Sequence, residues 1–329
     1  MKRSLLARSF IASLAVLSLG VFSPSVMSQS AATGKSIKIL VGFPPGGSAD
    51  VIARVLAQQM TAKLGGQSVI VENKPGASGR IAIDALKASA PDGTTLFVTP
   101  SGPMVIFPHV FKKLNFDPVK DFTPVSQLAG FQFAVTSGPK SNVRNVTEML
   151  AKAKSDPSTA SFATPGSGTV PQFLGVMLSD AAKIELQHVP FQGGAPALNA
   201  LLGGHVGYGI DVVSEILEAH KAGKARVIAV TGAQRSSQLP DVPTLREQGV
   251  AMDASAWFAI YGPANMPAAA LSRINTAVVA AMKDPATQAK LGEMGFNVIA
   301  SSPEQLAAVQ KADLNKWEKP IKATGFQAD

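Results

Sequence analysis

The chain has 329 residues, with 30 Lys and Arg against 22 Asp and Glu, a formal net charge of +8, and no cysteine. Without cysteine there is no disulfide framework, thiol nucleophile or thiolate metal site. The bases are scattered and little interleaved with aromatic residues, so no nucleic-acid footprint is visible.

The first nine residues carry Lys2, Arg3 and Arg8 and no acid, and residues 10–22 are almost wholly apolar. A basic head followed by a short apolar run is the pattern of a secretory signal, and the run is well short of the ~20 residues of a membrane helix. Residues 1–28 are therefore expected to be a signal peptide and the mature protein to be exported and soluble, which is compatible with a periplasmic location. Its removal lowers the net charge to about +5, compatible with mild steering of anions. The roughly 300 residues that remain suggest two domains.

Residues 37–43 (IKILVGF) read as a buried strand, and after Pro44-Pro45-Gly46-Gly47 the residues Ile52, Leu56 and Met60 recur every four on one face of a helix. Residues 68–72 read as the next strand, 73–79 as a loop, 80–88 as a second helix and 95–99 as a third strand. The rhythm restarts with strands over 133–136, 161–163, 186–190 and 226–231, and with helices over 146–153, 170–178 and 196–202. Two helices close the chain. The first carries the stripe Leu271, Ile274, Val278, Met282, and the second opens on Ser302-Pro303-Glu304-Gln305, a capping box with proline at the first helical position. Alternating strands and helices predict an α/β fold with helices covering the sheets.

The densest motif is Gly42-Phe43-Pro44-Pro45-Gly46-Gly47-Ser48-Ala49-Asp50, which leaves a strand and enters a helix. The first N–H groups of a helix lack internal partners and carry partial positive charge, so the loop is a ready anion seat. It is neither a Walker loop, because Ser48 stands where the lysine is required, nor the dinucleotide fingerprint. Thr164-Pro165-Gly166-Ser167-Gly168-Thr169 repeats the design in the second half. One such loop alone could be a plain strand–helix turn, but two, with further polar loops at 73–79 and 191–194, favour a binding cleft at strand ends. Charge-assisted hydrogen bonds of about 1.5–3 kcal/mol each can hold an anion there without a salt bridge.

Catalytic readings are weaker. No segment has the G-x-S-x-G nucleophile elbow, and His109, His188, His205 and His220 lack metal-ligand spacing. No catalytic residue, metal or cofactor is expected. An exported hydrolase or transferase, and a module presenting ligand to a sensor, stand as the competing classes.

The chain resembles the Bug-type receptors, the TctC-like substrate-binding component of tripartite tricarboxylate transporters. The resemblance rests on residues 39–50, on VENKPGASG at 71–79 and on PDGTTL at 91–96. Further marks are Phe116-Asp117-Pro118 with Lys120-Asp121-Phe122, VPFQGGAPALNALLGG at 189–204, and Asp241-Val242-Pro243-Thr244. Trp257 with Tyr261-Gly262-Pro263, and Met266-Pro267, complete the set.

The resemblance implies a two-lobed periplasmic binding protein of type II, a Venus flytrap with a mixed sheet flanked by helices in each lobe. Lobe 1 is expected over 29–130 plus 255–329 and lobe 2 over 131–254, with crossovers near 129–133 and 253–257. It also implies a monomer, and a small mono- or dicarboxylate held mainly by backbone N–H groups and bridging waters, for delivery to a membrane permease. The matching positions are Phe43, Pro44, Gly46, Gly47, Ser48 and Ala49 in one loop, and Thr164, Gly166, Ser167, Gly168 and Thr169 in the other. The rest of the ligand is expected against Ser78, Arg80, Ser101, Phe191, Gly193 and Asp211. Two departures from the family pattern bear on selectivity: Arg80 is either a second cation for a diacid or a solvent-facing side chain, and Tyr208 is a candidate contact for an aromatic or hydroxylated ligand.

Overall fold

A computed structural model describes residues 34–328. The expected signal peptide, residues 1–28, lies outside the described residues. The first lobe begins β1 (Ile37–Val41), α1 (Ser48–Lys63), β2 (Val69–Asn73), α2 (Arg80–Lys87) and β3 (Thr95–Pro100). Two short helices, α3 (Gly102–Val105) and α4 (Phe107–Val110), lead into the long strand β4 (Phe122–Ser137). The second lobe follows as α5 (Val146–Ser155), β5 (Ser161–Thr164), α6 (Val170–Ala182), β6 (Gln187–Pro190), α7 (Gly194–Leu202), β7 (Tyr208–Val212), α8 (Val213–Lys221) and β8 (Arg226–Val230). The chain then returns through β9 (Ser255–Pro263), α9 (Ala268–Met282), α10 (Pro285–Glu293), β10 (Asn297–Val298) and α11 (Pro303–Ala323).

In the first lobe the strand order is β2-β1-β3-β9-β4, with β10 on the far side of β4. β1 pairs in parallel with β2 and β3, whereas β9 runs antiparallel to β3 and β4. In the second lobe β4 pairs with β7 and with β8, both antiparallel, and β7-β5-β6 continue in parallel. Both sheets are mixed and helix-covered, the layered arrangement of an α/β fold.

The two sheets share β4. Its first part pairs with β9 as far as Gln132↔Ser255, and its last part pairs with β7 from Phe133↔Val212 onwards. Where the strand changes sheets, the fully buried Thr231 clamps the second crossing segment beside it. Its hydroxyl accepts from the Phe133 N–H at 3.0 Å and donates to the Ala254 carbonyl, while the Ala254 N–H donates to the Thr231 carbonyl at 2.8 Å.

Local rules account for the helices. Ile52, Leu56 and Met60 are fully buried along α1. The capping box of α11 forms: Gln305 N–H donates to Ser302 Oγ at 3.2 Å and Ser302 N–H donates to Gln305 Oε1 at 2.9 Å. Asn145 caps α5 by accepting from Glu148 N–H at 2.8 Å. Among the described residues no helix is long and apolar enough to cross a membrane.

Candidate functional site

A cleft lies between the lobes, lined by residues from both of them. Its first wall is the β1–α1 loop (Phe43, Pro44, Pro45, Gly47, Ser48, Ala49) and the β3–α3 turn (Pro100 to Pro103). The facing wall comes from the start of α6 (Thr169, Val170, Pro171), the start of α7 (Gly193 to Pro196) and the β7–α8 junction (Asp211, Val212, Glu215). Phe131, Phe133 and Phe258 line it where β4 and β9 change lobes. Phe131 packs on Phe258 with centroids 4.5 Å apart and edge-on to Phe133 at 5.3 Å, so this part of the cleft is a rigid aromatic surface.

The β1–α1 loop is shaped by Asp50. One carboxylate oxygen accepts from Gly46 N–H at 2.9 Å and from Arg54 Nε at 2.8 Å, and the other accepts from Asn73 Nδ2 at 2.8 Å. Burial opposes the charge on Asp50, but these donors outweigh it and hold the carboxyl below its ordinary range. Gly46 takes φ 89°, a left-handed turn that favours glycine.

In the facing loop, Thr169 Oγ1 donates to the Gly166 carbonyl at 2.8 Å, and Gly168 N–H donates to Gln172 Oε1 at 2.6 Å. Thr164 Oγ1 meets His188 Nε2 at 2.7 Å. Burial lowers the His188 pKa to about 4, so this imidazole is neutral at neutral pH.

Among the described residues, the backbone N–H groups of Gly47 and Ala49 at the start of α1, and of Thr169 and Val170 at the start of α6, make no protein hydrogen bond. All four residues line the cavity. One N–H between them is occupied. Ser48 N–H donates to Glu215 Oε1 at 2.6 Å, Ser48 Oγ donates to the same oxygen at 2.6 Å, and Ser48 Oγ meets Ser214 Oγ at 2.8 Å. A carboxylate of lobe 2 thus sits on the positive end of a lobe 1 helix, the placement the macrodipole favours.

Asp211 lies beside Glu215. Its Oδ1 accepts the adjacent Val212 N–H at 2.7 Å. Burial of its carboxyl, and then the charge of Glu215, raise its pKa well above the usual carboxylate range. The two acids flank Gly194, where a Cβ would lie 2.8 Å from Glu215 Oε2 and 2.9 Å from Asp211 Oδ2. Among the described residues no Lys, Arg or His lines the cavity.

Of the residues expected from sequence, Phe43, Pro44, Gly47, Ser48, Ala49, Ser101, Thr169, Gly193 and Asp211 meet in this cavity. Ser78, Arg80, Gly166, Ser167 and Phe191 line a second inter-lobe cleft. There the Arg80 guanidinium stacks 4.2 Å from the Phe111 ring centroid and Nε donates to the Ala77 carbonyl at 3.1 Å, away from the acid pair. Gly46, Thr164 and Gly168 shape their loops from behind and line neither cavity.

Tyr208 has to be corrected. It is fully buried in β7 and its hydroxyl donates to the Met149 carbonyl at 3.2 Å, so it cannot touch a ligand in the cleft. Tyr208 stands at the start of β7, opposite Ser137 and Phe162, whereas Asp211 and Val212 at the other end of the strand reach the cleft. Glu215, Val170 and the phenylalanines 131, 133 and 258 were missed. The four-residue spacing of Asp211 and Glu215 across the start of α8 was the available signal for Glu215.

Residues 52–326 match the profile of the tripartite tricarboxylate transporter family receptor, TctC. The periplasmic binding protein BugD superposes with a TM-score of 0.85 at 28% identity, over 90% of this chain and 99% of that one. MatC from Rhodopseudomonas palustris, solved with bound malate, gives 0.83 at 29% identity over 88% and 99%. Rpa4515 of R. palustris, solved with adipate, gives 0.85 at 27% identity over 90% and 99%. The chain belongs to the tripartite tricarboxylate transporter receptor family. Its fold is that of the periplasmic binding proteins, and it is a solute-binding receptor rather than an enzyme.

Proposed function

We propose that this receptor captures a small carboxylate in the cleft between its lobes and delivers it to a tripartite tricarboxylate transporter permease. The observation that carries the reading is the convergence of uncommitted N–H groups from two helix N-termini, Gly47 and Ala49 from one lobe and Thr169 and Val170 from the other. Hydrogen bonds to a charged acceptor contribute about 1.5–3 kcal/mol each, so four of them, less ordering costs, support the ~8 kcal/mol of micromolar binding. The malate and adipate bound by MatC and Rpa4515 support the same ligand class. In this reading residues 1–28 direct export to the periplasm, residues 29–130 with 255–329 and residues 131–254 are the two lobes, and the receptor acts as a monomer.

Calorimetry of purified mature protein against a panel of organic acids is expected to find a binder. A Gly47→Asp change is expected to abolish that binding, because it places a negative charge at the seat, where a Cβ already lies 3.4 Å from Glu215 Oε1. Binding of a sugar or a simple amine, with no acid bound, would overturn the reading. Loss of uptake of the bound acid in a deletion strain tests the permease role.

A further inference from the structure

We infer that the ligand carries a cationic nitrogen as well as its carboxylate, seated against Asp211 and Glu215, so that the cleft selects zwitterionic acids over fully anionic ones. The inference rests on the carboxylate-receptor reading and adds the chemistry of the second half of the ligand.

The charge balance of the cleft points there. Among the described residues two carboxylates line it and no basic side chain does. Among the described residues neither acid takes part in a salt bridge: Glu215 is held by the hydroxyl and N–H of Ser48, and Asp211 only by its neighbour's N–H. The second carboxylate of a dicarboxylic acid would meet like charges in a partly desolvated pocket, whereas an ammonium there gains two acceptors. Burial and then the Glu215 charge push the Asp211 carboxyl upward, and a cation seated beside the two acids would relieve that repulsion.

Two further features of the same cleft bear on the ligand. Ser101 is 2% exposed and lines the cavity, yet its hydroxyl makes no hydrogen bond among the described residues, which marks a polar partner supplied by the ligand. The rings of Phe131, Phe133 and Phe258 line the same cleft and bring no charge that would compete with the two acids. Glu215 already occupies the middle of the α1 seat, so the Thr169 and Val170 N–H groups at the start of α6 are the seat left for the carboxylate of such a molecule.

The test compares matched ligands, adipate against 6-aminohexanoate and malate against the α-amino acids, by calorimetry on the mature protein. The zwitterions are expected to bind at least about tenfold more tightly than the dicarboxylates. The double change Asp211→Asn with Glu215→Gln is expected to reverse that order, weakening zwitterions and strengthening dicarboxylates. A gain of dicarboxylate affinity cannot arise from misfolding, and Glu215→Gln alone should move both affinities in the same directions by less. Wild-type preference for dicarboxylates, or a double variant that leaves the order unchanged, overturns the inference while leaving the carboxylate receptor intact. If no carboxylate of either kind binds, the receptor reading fails with it.

Discussion

Glu215 and Ser48 are 167 positions apart in sequence, yet the Glu215 carboxylate accepts both the N–H and the hydroxyl of Ser48 at 2.6 Å and so joins the lobes across the cleft. The α1 N-terminus therefore holds an internal anion next to the N–H groups assigned to the ligand. Charge-assisted hydrogen bonds of this kind contribute about 1.5–3 kcal/mol each, enough to bias the resting protein towards closure.

Removing that contact should open the free protein. In Glu215→Ala, small-angle scattering is expected to give a larger radius of gyration than the wild type in the absence of ligand. An identical scattering curve would show that the contact does not hold the lobes together.

Thr231→Val removes the hydroxyl that links the Phe133 N–H to the Ala254 carbonyl between the two crossing segments. A buried donor and acceptor lose their partner, so urea unfolding should show a loss of about 1–3 kcal/mol. A change within error would mean that the clamp adds nothing to the fold.

Tyr208→Phe should leave ligand affinity unchanged, because its hydroxyl reaches Met149 in the core rather than the cleft. Stability should fall by about 0.5–1.5 kcal/mol, the net worth of one hydrogen bond. A large affinity loss at intact stability would return Tyr208 to the site.

The raised pKa of Asp211 sets the sign of a pH effect. A carboxyl whose folded pKa lies above its unfolded one binds more protons in the folded state, so its contribution becomes less favourable as pH rises from the ordinary carboxylate range, near 4, through the folded pKa. Asp211→Asn is thus expected to raise the melting temperature at neutral pH, and that advantage should disappear below about pH 3, where both states are protonated. A stabilisation that persists unchanged in acid would contradict the assignment.

Much of the scaffold was legible because it follows local rules. The stripe on α1 and the capping box of α11 depend on spacings of a few residues, and the glycine loops mark strand–helix junctions wherever they occur. The long strands were harder. Only residues 133–136 of β4 stood out, and β9 did not, because Ser255–Pro263 is buried along nearly its whole length and shows no alternation. The site divided in the same way. Gly47, Ser48 and Thr169 were readable from helix-start chemistry, whereas the role of Glu215 depends on a partner in the other lobe. Tyr208 was misjudged because its departure from the family pattern says nothing of its place at the end of β7 away from the cleft, buried in the core.

The shared strand gives the aromatic cleft lining a mechanical meaning. Phe131 and Phe133 flank the point where β4 passes from one sheet to the other, and Phe258 stands beside them on β9. A ligand resting on these rings presses on the fulcrum rather than on the jaws. A slight rotation there is amplified by the length of each lobe, so occupancy can be read at the outer rims of the molecule, far from the rings that first feel it.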